Sequence, residues 1–136
     1  MTAVRVLIVD DQEPFRRAAA SVVGMTDPFE LVGAVGSGEE CLAVVPRLRP
    51  DLVLLDVGLP GIDGIETAAR LRALLSPPVV ILVSTHDERE FADGVARSGA
   101  AAYVTKSAFG PDRLAAVWAL AGNSGGSRTV SGSSVS

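Results

Sequence analysis

The sequence predicts a doubly wound α/β fold, a five-stranded parallel open sheet flanked by five helices. Short apolar runs recur at 4–9, 29–35, 51–56, 79–84 and 101–105. Most are apolar at consecutive positions, the mark of strands covered on both faces. Segments of helical periodicity separate them, and a strand–helix alternation with right-handed crossovers closes into such a sheet.

Each element has its own warrant. "VRVLIV" (4–9) is followed by a helix over 13–24, with Pro14 in the first turn, where its missing N–H costs nothing. "FELVGAV" (29–35) precedes "SGEE" (37–40), a capping box of Ser37 and Glu40. That box opens a helix carrying Leu42, Val44 and Val45, and Pro46 is expected to kink or end it. After "DLVLLD" (51–56), residues 64–75 place Ile65, Ala68, Leu71 and Leu75 on one stripe. "VVILVS" (79–84) leads to a helix over 87–97, interrupted by Gly94. "AAYVT" (101–105) and a helix over 111–121 complete a domain spanning 1–121. Residues 122–136 hold four Gly and six Ser among fifteen. Such a segment buries too little to offset its ordering entropy, so a flexible linker or tail is expected there.

Composition narrows the function. A chain of 136 residues is one domain by length, and 48% hydrophobic with 21% charged residues describes a globular protein. A net charge of −4 without a basic cluster argues against direct nucleic-acid contact by this segment. The lone Cys41 excludes an internal disulfide and fits a reducing cytosol. It reads as a helix residue facing inward rather than a reactive thiol, since nothing nearby would lower its pKa. The N-terminal apolar run is too short for a signal peptide, and "PPVVILV" is far short of a membrane span. A cytoplasmic protein without membrane contact is expected.

Open α/β sheets collect their chemistry at the carboxyl ends of the strands. There the sequence puts Asp10 and Asp11, Asp56, Ser84 and Thr85, and Lys106. Singly, each has an ordinary reading as a turn residue, a helix cap or a solvated charge. Those readings do not explain why all converge on one sheet edge, nor why Lys106 is the only lysine among 12 basic residues. Three clustered carboxylates repel, so the cluster takes up protons or a cation. Oxygen donors without Cys or His select Mg²⁺, with Mn²⁺ as a substitute. A carboxylate beside such a cation and an ammonium is suited to attack phosphorus and form an aspartyl phosphate. A compact ammonium meets an oxygen as a point charge in a pocket too narrow for a guanidinium fork.

At these residues the chain resembles the response-regulator receiver domain of two-component signalling. The blocks "VLIVDDQEPFRR", "RPDLVLLDVGLPGIDGIE" and "AAYVTK" carry the resemblance, which covers about residues 4–121. It implies a flavodoxin-like, CheY-like strand order of 2-1-3-4-5. It implies Asp56 as phosphoacceptor, with Asp10, Asp11, Asp56 and the backbone carbonyl of Gly58 holding Mg²⁺. Ser84, or Thr85 should the alignment slip by one residue, takes the place of the switch hydroxyl. Tyr103 takes that of the aromatic switch, drawn inward on phosphorylation, and Lys106 that of the family's lysine. The donor implied is a sensor histidine kinase. The receiver would phosphorylate and dephosphorylate itself rather than turn over an external substrate. Its output would be a homodimer through the face formed by 87–121, or release of an output domain.

"FELVGAVGSGEECLAVVPRLRPDLVLLDVGLPGIDGIE" is most similar to NarL/FixJ (LuxR-type) regulators, whose output domain binds DNA. Two departures stand out: Ser107 follows Lys106 where many receivers have proline, and Gly58 has no side chain to reach an attacking water. A stand-alone receiver acting in a relay or as an interaction module is the alternative. A Rossmann-type nucleotide site would need glycines where Asp10 and Asp11 stand, and an aspartyl-phosphate hydrolase would need an acid at Gly58. A pseudo-receiver would lack one of the acids or the lysine.

Overall fold

The computed structural model of the chain describes residues 3–127. Five parallel strands, β1 (Val4–Val9), β2 (Phe29–Val35), β3 (Leu52–Asp56), β4 (Val79–Ser84) and β5 (Ala102–Thr105), form one sheet in the order β2-β1-β3-β4-β5. The connecting helices are α1 (Glu13–Gly24), α2 (Gly38–Leu48), α3 (Gly64–Arg72), α4 (Ala92–Ser98) and α5 (Pro111–Ser127). Short 3₁₀ turns lie at Glu88–Phe91 and Lys106–Ala108.

The consecutive apolar residues of the central strands divide by alternation between two cores. Leu7, Val9, Val53, Leu55, Val80 and Leu82 pack with Cys41 and Val45 of α2 and with Ala68 and Leu71 of α3. Their neighbours Val6, Ile8, Leu52, Leu54, Ile81 and Val83 face the other way, onto Ala19 and Val23 of α1 and Leu114 of α5. Burial on both faces fixes the register, because a one-residue slip would exchange the two sets. Val9 pairs with Leu55, so Asp10 and Asp56 follow on adjacent strand ends. Asp56 pairs with Val83, and Ser84 with Thr105, the residue before Lys106.

Caps place the helices. Ser37 Oγ accepts the Glu40 N–H at 3.1 Å, and Glu40 Oε1 reaches back to the Gly36 N–H at 3.0 Å. Asp63 caps α3 by accepting the Glu66 N–H at 2.8 Å.

Several boundaries differ from expectation. The second helix runs through Pro46 to Leu48, because the buried Val45 and the core-packed Leu48 anchor its last turn on either side of the proline. The Arg5 guanidinium donates to the Leu48 and Arg49 carbonyls there, satisfying acceptors that the helix end leaves open. The third helix stops at Arg72 rather than 75, and Leu75 is fully exposed instead of joining the stripe. Pro77 and Pro78 follow, and a proline disfavours helical backbone in the residue before it. The segment over 87–97 splits at Phe91, whose backbone (φ −127°) leaves helical geometry between the 3₁₀ turn and α4. Gly94 does not interrupt α4; it allows close packing on α3, since a Cβ there would lie 2.6 Å from Ile65 Cδ1. The fifth helix extends past 121 to Ser127, a stretch without a proline to stop it. The remainder of the expected linker, 128–136, lies outside the described residues.

The β3–α3 junction depends on Gly64. A Cβ there would overlap the Asp56 carbonyl oxygen and stand 2.7 Å from Val57 Cα, both backbone atoms that cannot yield. Gly58 has open space around its Cα. Gly64→Ala is therefore expected to lose about 2–4 kcal/mol in urea unfolding, and Gly58→Ala less than about 0.5 kcal/mol. Equal losses would show that the junction does not set this requirement.

Candidate functional site

Register brings the predicted residues to one edge. Asp10, Asp11 and Asp56 each offer a carboxylate oxygen within 4.8 Å of the others. Asp10 and Asp56 are buried, and Asp11 is exposed at the mouth. Lys106 Nζ lies 2.7 Å from Asp10 Oδ2 and 3.8 Å from Asp56 Oδ2, with only 11% of its side chain exposed. Asp10 Oδ2 has no directed hydrogen bond, so the lysine meets it as an ion.

Hydrogen bonds orient the remaining oxygens. Asp10 Oδ1 accepts the Gln12 N–H at 2.8 Å, which fixes the carboxylate against the start of α1. Asp56 Oδ1 accepts the Gly58 N–H at 3.3 Å. The loop after Asp56 is tied down from α2, where Glu39 Oε2 accepts the Ile62 N–H at 3.2 Å.

Burial pushes the Asp56 pKa up, and the neighbouring Asp10 carboxylate pushes it further. The Lys106 ammonium and the Gly58 N–H oppose this without cancelling it, and Asp11 adds a smaller upward push. Three carboxylates against one ammonium leave excess negative charge in a partly desolvated cleft. The donor set is all carboxylate, and the buried Asp10 Oδ2 still has acceptor capacity. Those features fit a hard divalent cation such as Mg²⁺ rather than zinc.

Ser84 and Thr85 differ in placement. Ser84 is buried at the end of β4, and its Oγ accepts the His86 N–H at 3.0 Å. Thr85 is exposed, 3.3 Å from His86 Nδ1. The Tyr103 hydroxyl donates to the His86 carbonyl at 2.8 Å, and its ring packs against the α2–α3 core. The hydroxyl is thus anchored to the loop that follows β4. His86 joins the two switch candidates through its own peptide groups.

The sequence reading missed Gln12 and Phe15. Gln12 Oε1 accepts from Lys106 Nζ at 3.3 Å, and the Phe15 ring lies beneath that ammonium. Both stand in "QEPF" (12–15), which follows the two acids and carries only the signals of a helix start. Cys41 is fully buried and its thiol is pushed up to about 12 by burial, in keeping with a packing role.

Comparison with known proteins bears on the family and the fold. The family model of the response regulator receiver domain matches residues 6–118. The response regulator GacA of Pseudomonas aeruginosa is 34% identical over 105 residues, 77% of this chain and 49% of that protein. A protein-glutamate methylesterase/protein-glutamine glutaminase of Trichodesmium erythraeum is 40% identical over 89 residues, 65% of this chain and 25% of that protein. The receiver domain of the putative response regulator NarL from Mycobacterium tuberculosis superposes with a TM-score of 0.82 at 30% identity, covering 90% of this chain and 98% of that one. The chain spans about half the length, or less, of the curated relatives it matches. Among the described residues, no helix is long and apolar enough to cross a membrane.

The raised Asp56 pKa has a consequence for stability. Folded Asp56 holds its proton more tightly than the unfolded chain does. Its contribution to stability is therefore full below the ordinary carboxylate value of 3.8 and is lost as pH rises through the raised folded value. Asp56→Asn removes that penalty. Without divalent cations at pH 7 it is expected to melt a few degrees higher, the size of about 1 kcal/mol in a domain of this length. The gain should shrink as pH falls below the carboxylate range. A variant that melts no higher at pH 7 would show that Lys106 outweighs burial and Asp10.

Proposed function

The chain belongs to the response regulator receiver family of two-component signalling, and from that premise we propose that it takes a phosphoryl group on Asp56 from the phosphohistidine of a sensor kinase. One observation carries the assignment: a buried carboxylate that shares the chain's single lysine with a second buried acid. Asp10, Asp11, Asp56 and the Gly58 carbonyl would hold Mg²⁺, or Mn²⁺ in its place. When bound, the metal supplies positive charge to the phosphoryl oxygens and relieves the repulsion among the carboxylates.

The chain's own residues perform the remaining work. One Asp56 oxygen attacks phosphorus, a P–O bond forms, and the P–N bond to the donor imidazole breaks. The leaving imidazole keeps the bonding pair and takes a proton from solvent. Lys106 needs only a short movement from its present 3.8 Å separation to meet a phosphoryl oxygen on Asp56. Burial of Asp56 strips solvent from the nucleophile and strengthens each of these contacts.

The switch would pass through His86. The Ser84 hydroxyl turns to donate to the phosphoryl and gives up the His86 N–H it now accepts. Released on that side, the β4 loop shifts together with Tyr103, which already holds the His86 carbonyl. Ser84 is favoured over Thr85 because it is buried at the strand end while Thr85 is exposed. The affected face comprises residues 87–121, which would dimerise or release an output domain. The similarity to a putative transcriptional regulator of Pseudomonas aeruginosa, 38% identical over 102 residues, supports a gene-regulatory output joined through the Ser/Gly-rich residues beyond α5.

Two measurements test this reading. With Mg²⁺ and a small acyl phosphate donor, intact mass should show one acid-labile phosphoryl group on the wild type and none on Asp56→Asn. Equal labelling of both would remove Asp56 from the role. Separately, Mg²⁺ at ten times its Kd should add about 1.4 kcal/mol to wild-type stability. Asp11→Ala should lose most of that gain, while its metal-free stability holds or rises because a like charge has gone. An undiminished Mg²⁺ response in this variant would put the metal elsewhere.

A further inference from the structure

The Lys106 ammonium has a neighbour to which the reaction above gives no role. Its Nζ stands over the Phe15 ring, 4.6 Å from the centroid. Around it lie three acceptor oxygens, on Asp10 at 2.7 Å, Gln12 at 3.3 Å and Asp56 at 3.8 Å. The Phe15 ring is braced by Phe109, with centroids 5.9 Å apart and planes at 57°. Both rings pack against the α1–α5 core, which limits their freedom to swing.

We propose that Phe15 is a positioning residue for phosphoryl transfer, its ring face holding the Lys106 ammonium in the gap between Asp10 and Asp56. The inference rests on Lys106 being the phosphoryl contact. An ammonium has three N–H donors and no more. Held by oxygens alone, it would commit those donors to whichever carboxylate is nearest, here Asp10. A ring attracts the charge through its quadrupole and takes up no donor. All three therefore stay free for oxygens, and one can pass to a phosphoryl on Asp56 while the charge remains in place. With the lysine side chain 11% exposed, water has little access to fill the ring's place. If Phe15 served only as a packing residue for α1, any side chain of similar shape would do. Electron density on the ring face separates the two roles.

The test uses the full chain as wild type, Phe15→Leu, Phe15→Tyr, and with trifluorophenylalanine incorporated at position 15, which keeps the shape and withdraws the electrons. Because Lys106 is the only lysine, selective ¹³C/¹⁵N-lysine labelling gives a single side-chain signal set. Its ε-protons should carry an upfield ring-current shift in the wild type and Phe15→Tyr, and lose it in Phe15→Leu. With acetyl phosphate and Mg²⁺, the leucine and trifluoro chains should phosphorylate about two- to tenfold more slowly. Phe15→Tyr should stay near wild type, and the trifluoro chain should keep its melting temperature and Mg²⁺ affinity. A wild-type rate in the trifluoro chain, or an unshifted lysine in the wild type, overturns the proposal. If Phe15→Leu does not fold, the trifluoro chain decides alone. Phosphorylation of Asp56 without any Phe15 effect sinks this inference and spares the function. A wild type that takes no phosphoryl on Asp56 sinks both.

Discussion

Two carboxylates buried on adjacent strand ends form the constraint to which the rest of the molecule answers. Val9 opposite Leu55 makes Asp10 and Asp56 neighbours, and neither faces enough water to carry its charge cheaply. Lys106 offsets part of the cost, yet the Asp56 pKa still rises. The fold therefore holds the site in an electrostatically unfavourable state, and the apolar strands keep it there. Because the sheet is packed on both faces, β1 and β3 cannot move apart to relieve the repulsion without breaking two cores. Relief has to come from outside, as a proton, a cation or a chemical change at Asp56.

The same sheet explains how such a change would travel. Ser84 and Tyr103 occupy neighbouring strands, and the Ser84 hydroxyl also acts on the Tyr103 hydroxyl directly. Each grips one backbone group of His86, Ser84 its N–H and Tyr103 its C=O, on the two peptide units that flank its Cα. Loss of the first bond would free the peptide before His86 while the one after it stays attached to β5. Residues 85–90 are exposed, so this loop can shift without opening a core. On the opposite side, Glu39 clamps the β3–α3 loop. One rim of the pocket is held and the other is free to respond.

Much of this was legible in the sequence because it rests on local pattern. Consecutive apolar residues gave β1 and β4 their bounds, and the acids and the lysine stood at strand ends where parallel sheets gather their chemistry. What escaped depends on partners distant in the chain. Pro46 reads as a stop until Arg5, more than forty residues away, is seen capping the carbonyls beyond it. Gly94 reads as a break until Ile65 appears against it. Leu75 fits a helical stripe, but α3 ends at Arg72 and leaves it exposed in the turn ahead of Pro77 and Pro78. Phe15 and Gln12 belong to a helix start by every local signal, and only the return of β5 brings Lys106 to them. The order of Ser84 and Thr85 likewise needed the strand's register, since the two hydroxyls differ by one residue and by burial.

The strength of the proposed switch follows from what Lys106 and Ser84 already hold. Carrying an equilibrium from 1:99 to 99:1 takes about 5.5 kcal/mol of differential interaction. A hydrogen bond to a charged group contributes about 1.5–3 kcal/mol, so Lys106 and Ser84 together would supply about 3–6 kcal/mol to a phosphoryl. Neither contribution is wholly new. Ser84 surrenders its bond from the His86 N–H, about 1 kcal/mol, and Lys106 is already paired with Asp10 at 2.7 Å. The surplus falls short of a full conversion by these two contacts alone. A receiver built this way would shift its population in part through these two contacts, and the bound cation and a partner that binds only the phosphorylated face would supply the remainder. A dimer or a released output domain would then complete the switch as well as report it.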